Sequence, residues 1–126
     1  MPALTLSLLE HPYAVCRLPP DAAVEPLPPG PFHLLVRAPE ETTLVCPLER
    51  APPGAEIDRA WRCFRIEQSF DFSVAGILAS VLGPLAAANV GIFATSTFST
   101  DYVLVKEADL DRAVDALRAA GHALTL

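Results

Sequence analysis

The chain has 126 residues, 52% of them hydrophobic and 19% charged, and a formal net charge of −6. That length suits one domain, or two small subdomains sharing a core, and buries roughly two-thirds of the unfolded surface, so disorder is excluded. The nine Lys and Arg are scattered with no basic stripe or patch, which argues against nucleic acid and against anionic membrane surfaces as partners.

Residues 4–9 alternate Leu with Thr and Ser, the pattern of a half-buried strand. After the His11-Pro12 break, "HPYAVCRLPP" continues as a second extended piece. Residues 19–31 hold six of the 13 prolines, so only a short helical turn over 21–24 is predicted there. "FHLLVRA" and "TTLVCPL" flank the Pro39-Glu40-Glu41 turn and predict a hairpin. "RAPPGAE" is a loop and the natural boundary between halves, giving residues 1–55 and 56–126 as the two parts.

The second half opens on "WRCFRIEQ", a strand with Trp61, Cys63 and Arg65 on one face and Arg62, Phe64 and Ile66 on the other. Residues 74–89 predict a helix, because Ile77, Leu78, Val81, Leu82 and Leu85 fall on one stripe, with a local bend at Pro84. Residues 74–94 carry no charge over 21 positions, long enough to span a bilayer. The Gly83-Pro84 pair, the Asn89-Val90-Gly91 turn signal and the lack of flanking basic anchors oppose that reading, so a buried helix and strand are expected. Residues 91–97 and 102–106 predict a hairpin. Asp109 starts a second helix, Gly121 ends it, and "HALTL" is a last strand. The order is β-α-β-β-α-β, which places both helices on one face of an antiparallel sheet.

Cys16, Cys46 and Cys63 form no C-x-x-C pair and read as reduced, buried thiols of a cytoplasmic protein. His11, His33 and His122 show no metal-ligand spacing, so neither metal nor cofactor is expected. The N-terminus has no basic residue ahead of its apolar patch, and no targeting segment is expected. No nucleophile–base pair and no phosphate-cradling glycine loop stands out, so the chain is expected not to be an enzyme.

An internal echo appears when the first half is slid by 58 positions: "LLVRAPEETTLVCPLE" falls on "IFATSTFSTDYVLVKE". Both read strand, polar turn, strand and acidic end, the pattern of a diverged duplication. The first half lacks a counterpart of the long helix.

"GILASVLGPLAAANVGIFATSTFSTDYVLVKEADLDRAVDALRAAGHAL" resembles the ACT domain, and "EETTLVCP" resembles a shorter N-terminal counterpart. The variety is that of small stand-alone bacterial proteins and of the cytosolic arginine sensors of animals. The aspartate kinase regulatory regions are more distant relatives. The resemblance implies an α+β fold, a ferredoxin-like βαββαβ ACT domain over 56–126 preceded by a reduced ACT-like N-terminal half over 1–55. It also implies a regulatory, allosteric role: a free amino acid or similar small ligand held at an interface between ACT units, in a homodimer. The other reading is a protein–protein interaction module whose ligand site has decayed.

Carried onto this chain, the family's site falls on Asp71, Ser73, Val74, Gly76 and Ile77 before the first helix, and on Ser96, Thr97, Thr100 and Asp101 of the hairpin. Thr43 and Val45 are the N-terminal counterparts. Asp71 lies farther from its glycine than the aspartate of many ACT domains does. An amino acid needs donors for its carboxylate, which a helix start supplies, and acceptors for its ammonium, for which Asp101 is the carboxylate at hand. The same residues have structural readings. Ser73 suits a helix N-cap, Gly76 suits helix–sheet packing, and Thr100 with Asp101 suits closure of the hairpin.

Overall fold

The computed structural model describes residues 3–24, 26–27, 30–71 and 73–126. They gather into two units. One joins the residues up to Glu10 with Arg62–Leu126, and the other is His11–Trp61.

In the first unit the expected β-α-β-β-α-β order is present. It runs through the end of β5 (Glu56–Ile66), α1 (Ile77–Ala87), β6 (Ile92–Ser96), β7 (Asp101–Lys106), α2 (Leu110–Ala119) and β8 (Ala123–Thr125). A further strand, β1 (Thr5–Leu8), lies between β5 and β8. It pairs antiparallel with β5 (Leu6 opposite Ile66) and parallel with β8 (Leu6 opposite Leu124). The first strand therefore groups with Arg62–Leu126 in one unit. On the other side, β7 pairs with both β5 and β6, and Ser96 stands opposite Asp101.

Period-two alternation points Leu6, Phe64, Ile66, Val103 and Val105 to one sheet face, and all are buried. Ile77, Val81 and Leu85 of α1, with Ala113, Val114 and Leu117 of α2, close the same core at helical spacing. Both helices end in the same way. Asn89 (φ 58°) and Gly121 (φ 97°) adopt the left-handed conformation. The following N–H groups then reach back, Val90 to the Leu85 carbonyl at 2.9 Å and His122 to the Leu117 carbonyl at 3.1 Å.

Two details of α1 depart from the sequence expectation. It begins at Ile77 instead of residue 74, because Gly76 at φ 86° takes the N-cap position and turns the chain before it. It also runs through Pro84, whose ring leaves the Ser80 carbonyl without its helical donor. His122 fills that gap: its Nε2 lies 2.8 Å from the Ser80 oxygen, while its Nδ1 accepts the Leu4 N–H at 3.1 Å. Among the described residues, no helix is long and apolar enough to cross a membrane.

The second unit is built from strands. β2 (Tyr13–Leu18) lies between β4 (Thr42–Pro47) and the start of β5, and β4 pairs in turn with β3 (Leu34–Arg37), all antiparallel. Ala14, Cys16, Leu44 and Cys46 form its core. A bulge interrupts the β2–β5 register between Tyr13 and Val15, and Ala60 opposite it takes φ 66°. The helical turn expected over 21–24 does not form among the described residues. The chain instead makes a turn closed by the Ala22 N–H on the Pro19 carbonyl at 3.1 Å.

The two hairpins correspond, but at an offset of 59. Arg37 and Thr42 close the first as Ser96 and Asp101 close the second. Ala38 donates to the Glu41 carbonyl at 3.0 Å as Thr97 donates to that of Thr100 at 2.8 Å. Thr42, which an offset of 58 would match to Thr100, thus matches Asp101.

Candidate functional site

The α1 N-terminus and the β6–β7 hairpin enclose a cavity of about 250 Å³. Asp71, Val74, Gly76, Ile77, Ser96, Thr97, Thr100 and Asp101 all line it, so eight of the eleven residues singled out in the sequence come together. Ser73 is an exposed turn residue beside the cavity and is not among its lining residues. Thr43 and Val45 belong to the other unit. Val45 is fully buried and offers no surface, while Thr43 lines a separate recess of about 210 Å³ with Arg17 and Glu56.

The loop before α1 is held locally. The Asp71 carboxylate accepts the Ser73 N–H at 2.9 Å, and the Val74 N–H reaches the Asp71 carbonyl at 2.9 Å. The Ser73 amide, helped by the Ser73 hydroxyl, holds the exposed Asp71 carboxyl below the usual carboxylate range. Ser73 therefore serves the turn and does not cap the helix, and α1 has no side-chain cap at all. The N–H groups that a first helical turn cannot pair internally belong to Ile77, Leu78 and Ala79, and all three residues line the cavity.

On the facing hairpin the polar residues divide. The Thr100 hydroxyl is buried against the Ile66 and Gln68 carbonyls, at 2.6 and 3.0 Å, and ties the hairpin to the end of β5. The Thr97 hydroxyl lies 3.2 Å from the Thr100 carbonyl and accepts the Thr100 N–H at 3.2 Å, closing the turn. Ser96 donates its hydroxyl to one oxygen of Asp101; among the described residues the other oxygen accepts no hydrogen bond. Among the described residues, Asp71 and Asp101 are the ionisable residues of the lining, which includes no Lys, Arg or His.

Five lining residues were not among the predicted site residues: Phe70, Leu78, Ala79, Phe98 and Ser99. Phe98 stands 83% exposed at the hairpin tip, and an aromatic amid four hydroxyl residues was the available signal. Phe70 is brought in by a long-range bond, its N–H to the Ser99 carbonyl at 3.1 Å, which no local pattern announces. Among the described residues, no group of three or more His, Cys, Asp or Glu could hold a metal ion. The three cysteines are buried and free. Burial pushes the Cys63 thiol up to about 12. Cys46 rises to about 12 through burial and then its neighbour Cys16, and Cys16 is raised by burial.

A split β-α-β sheet with two helices on one face, and a cavity where the first helix meets the hairpin, is a ferredoxin-like α+β architecture. The sequence pattern of the ACT domain family matches residues 56–119, and this chain belongs to that family. A protein of Agrobacterium tumefaciens with a known crystal structure is 35% identical, covering 100% of this chain and 95% of its own, with a TM-score of 0.93. Cytosolic arginine sensor for mTORC1 subunit 1 of Rattus norvegicus is 41% identical over 59 residues. That stretch is 46% of this chain but 18% of the sensor, so the likeness spans under a fifth of that relative. The regulatory subunit of aspartate kinase from Thermus thermophilus shares the fold at 14% identity, covering 90% of this chain and 94% of its own, with a TM-score of 0.61.

Proposed function

We propose that the chain is a non-catalytic, cytoplasmic regulatory module that binds a free amino acid in the cavity between α1 and the β6–β7 hairpin. The ligand is held where ACT units of two copies meet. The observation that carries this reading is the opposition of chemistries across one small space. The N–H groups of Ile77, Leu78 and Ala79, which the first turn of a helix cannot pair internally, line the same space as Asp101, whose carboxylate is the acceptor there. An α-carboxylate takes the first side and an α-ammonium the second, in charge-assisted hydrogen bonds of roughly 1.5–3 kcal/mol each. Gly76 brings its backbone close without a Cβ in the way, and the cavity suits a molecule of amino-acid size.

Among the described residues, the lining carries two carboxylates and no cationic side chain, which favours a ligand with a second positive charge over an acidic one. The name of the animal relative makes arginine the first compound to try. The test is thermal unfolding of the wild-type chain and of Asp101→Asn against each common amino acid at millimolar concentration. A ligand present at a hundredfold its dissociation constant stabilises the native state by about 2.7 kcal/mol. The expected result is a selective upward shift in the wild type, with basic amino acids ahead, that shrinks in a variant of unchanged basal stability. A flat panel would instead support the interaction-module reading.

A further inference from the structure

We propose that His122 is a pH-sensitive latch, which joins the first strand to the helix carrying the cavity and opens when the imidazole takes up a second proton. The ring is 6% exposed and makes two hydrogen bonds with opposite demands. The Leu4 N–H can only donate, so the Nδ1 it faces at 3.1 Å must be an unprotonated acceptor. The neutral ring then carries its proton on Nε2 and donates to the Ser80 carbonyl at 2.8 Å.

That carbonyl is the one Pro84 leaves unpaired inside α1, so His122 replaces a backbone bond that the helix cannot make for itself. Ser80 also donates its hydroxyl to the Ile77 carbonyl at 2.7 Å, which ties the latch to the first turn, whose residues line the cavity. At the other end, the Leu4 carbonyl accepts the Ala123 N–H at 2.8 Å, so the same contact anchors the start of the β1–β8 pairing.

A second proton on the imidazole falls on Nδ1 and sets two N–H groups against each other. The Leu4 bond is then lost. The ring either keeps Ser80 and expels Leu4, or tilts away from both and leaves the Ser80 carbonyl unpaired. Among the described residues, the ring's partners are the Leu4 N–H and the Ser80 carbonyl, and no carboxylate pairs with it. α1, β1 and β8 contain no ionisable side chain, and Asp111, Arg112, Asp115 and Arg118 of α2 are all exposed.

The experiment is NMR on the ligand-free, full-length chain from pH 8 to pH 5. It combines long-range nitrogen–proton correlation at His122 with amide exchange corrected for its intrinsic pH dependence. The expected neutral tautomer is Nε2–H. As His122 titrates, the Leu4 and Ala123 amides should exchange at least tenfold faster, while amides of the strand unit His11–Trp61 stay protected. Pro84→Ala supplies the missing N–H to the Ser80 carbonyl, so α1 amides should become insensitive to the titration. An Nδ1–H tautomer, a Leu4 amide that ignores the titration, or simultaneous loss of protection in both units would each overturn the proposal. No ligand enters the test, so its outcome is independent of the amino-acid reading above.

Discussion

Thr100 and Asp101 are adjacent, equally polar, and destined for different work. The Thr100 hydroxyl is spent on the Ile66 and Gln68 carbonyls, 34 and 32 residues away, whereas Asp101 keeps a carboxylate oxygen for the cavity. Thr100→Val therefore costs about 1–2 kcal/mol in urea unfolding by stranding a buried carbonyl, and leaves the ligand selectivity of the folded chain as it was. The hydroxyl-rich stretch stood out in the sequence and lines the cavity, but its division of labour could not be read there. The partners of Thr100 are set by strand pairing, and local residue type does not encode that pairing. The cysteines carry a second prediction at this scale. Cys46 and Cys63 are held near 12 in the fold, against an ordinary value of 9.0. The folded value is the higher one, so the stabilisation is complete below pH 9 and is lost as pH climbs toward 12, where unfolded thiols ionise and folded ones do not. Stability should fall through that window, and Cys63→Ala should make the fall shallower. Native thiols should also resist alkylation at neutral pH until the chain unfolds.

At the scale of elements, apolar periodicity was enough to place most strands and both helices, because most bury one face against the core of their own unit. The start of α1 was misplaced for a backbone reason. Ser73 has the right chemistry for an N-cap, but Gly76 at φ 86° turns the chain three residues later, and Ser73 is drawn into the Asp71 turn. A side chain in that left-handed conformation costs roughly 1–2 kcal/mol. Gly76→Ala is thus expected to lower stability by about that much in chemical denaturation. It should lower ligand affinity further, because Gly76 is a lining residue of the cavity and a strained backbone there shifts the first helical turn. Equal stabilisation of the variant and the wild type by the ligand would show that the glycine serves the backbone alone. The hairpin echo has a similar lesson. Matching letters gave an offset of 58, but hydrogen-bonded closure gives 59 and pairs Thr42 with Asp101. The N-terminal hairpin therefore has a neutral hydroxyl, itself buried and bonded to the Pro20 carbonyl, where the other has its carboxylate. The proposed acceptor for an ammonium has no counterpart there, and the expected stoichiometry in titration calorimetry is one ligand per chain.

At the scale of the molecule, the chain order hides one strand. β1 lies first in sequence yet fills the place between β5 and β8, and only long-range pairing reveals it. In the unit that holds the cavity, β6 and β8 are each paired on one side only among the described residues, and Ile92 on β6 is 39% exposed. Open edges of this kind invite pairing with another chain, and a second copy is the partner the proposed function requires. Sedimentation equilibrium should then give a species of two 13.5 kDa chains, with ligand strengthening the association. Ile92→Lys places a charge on that edge and should weaken the dimer at least tenfold, about 1.4 kcal/mol, without unfolding the monomer. If the ligand lies between two copies, its affinity must fall with that of the dimer, because binding and association are linked through one free energy. If the monomeric variant binds as tightly as the wild type, the cavity of a single chain is the whole site, and the edge serves some other contact.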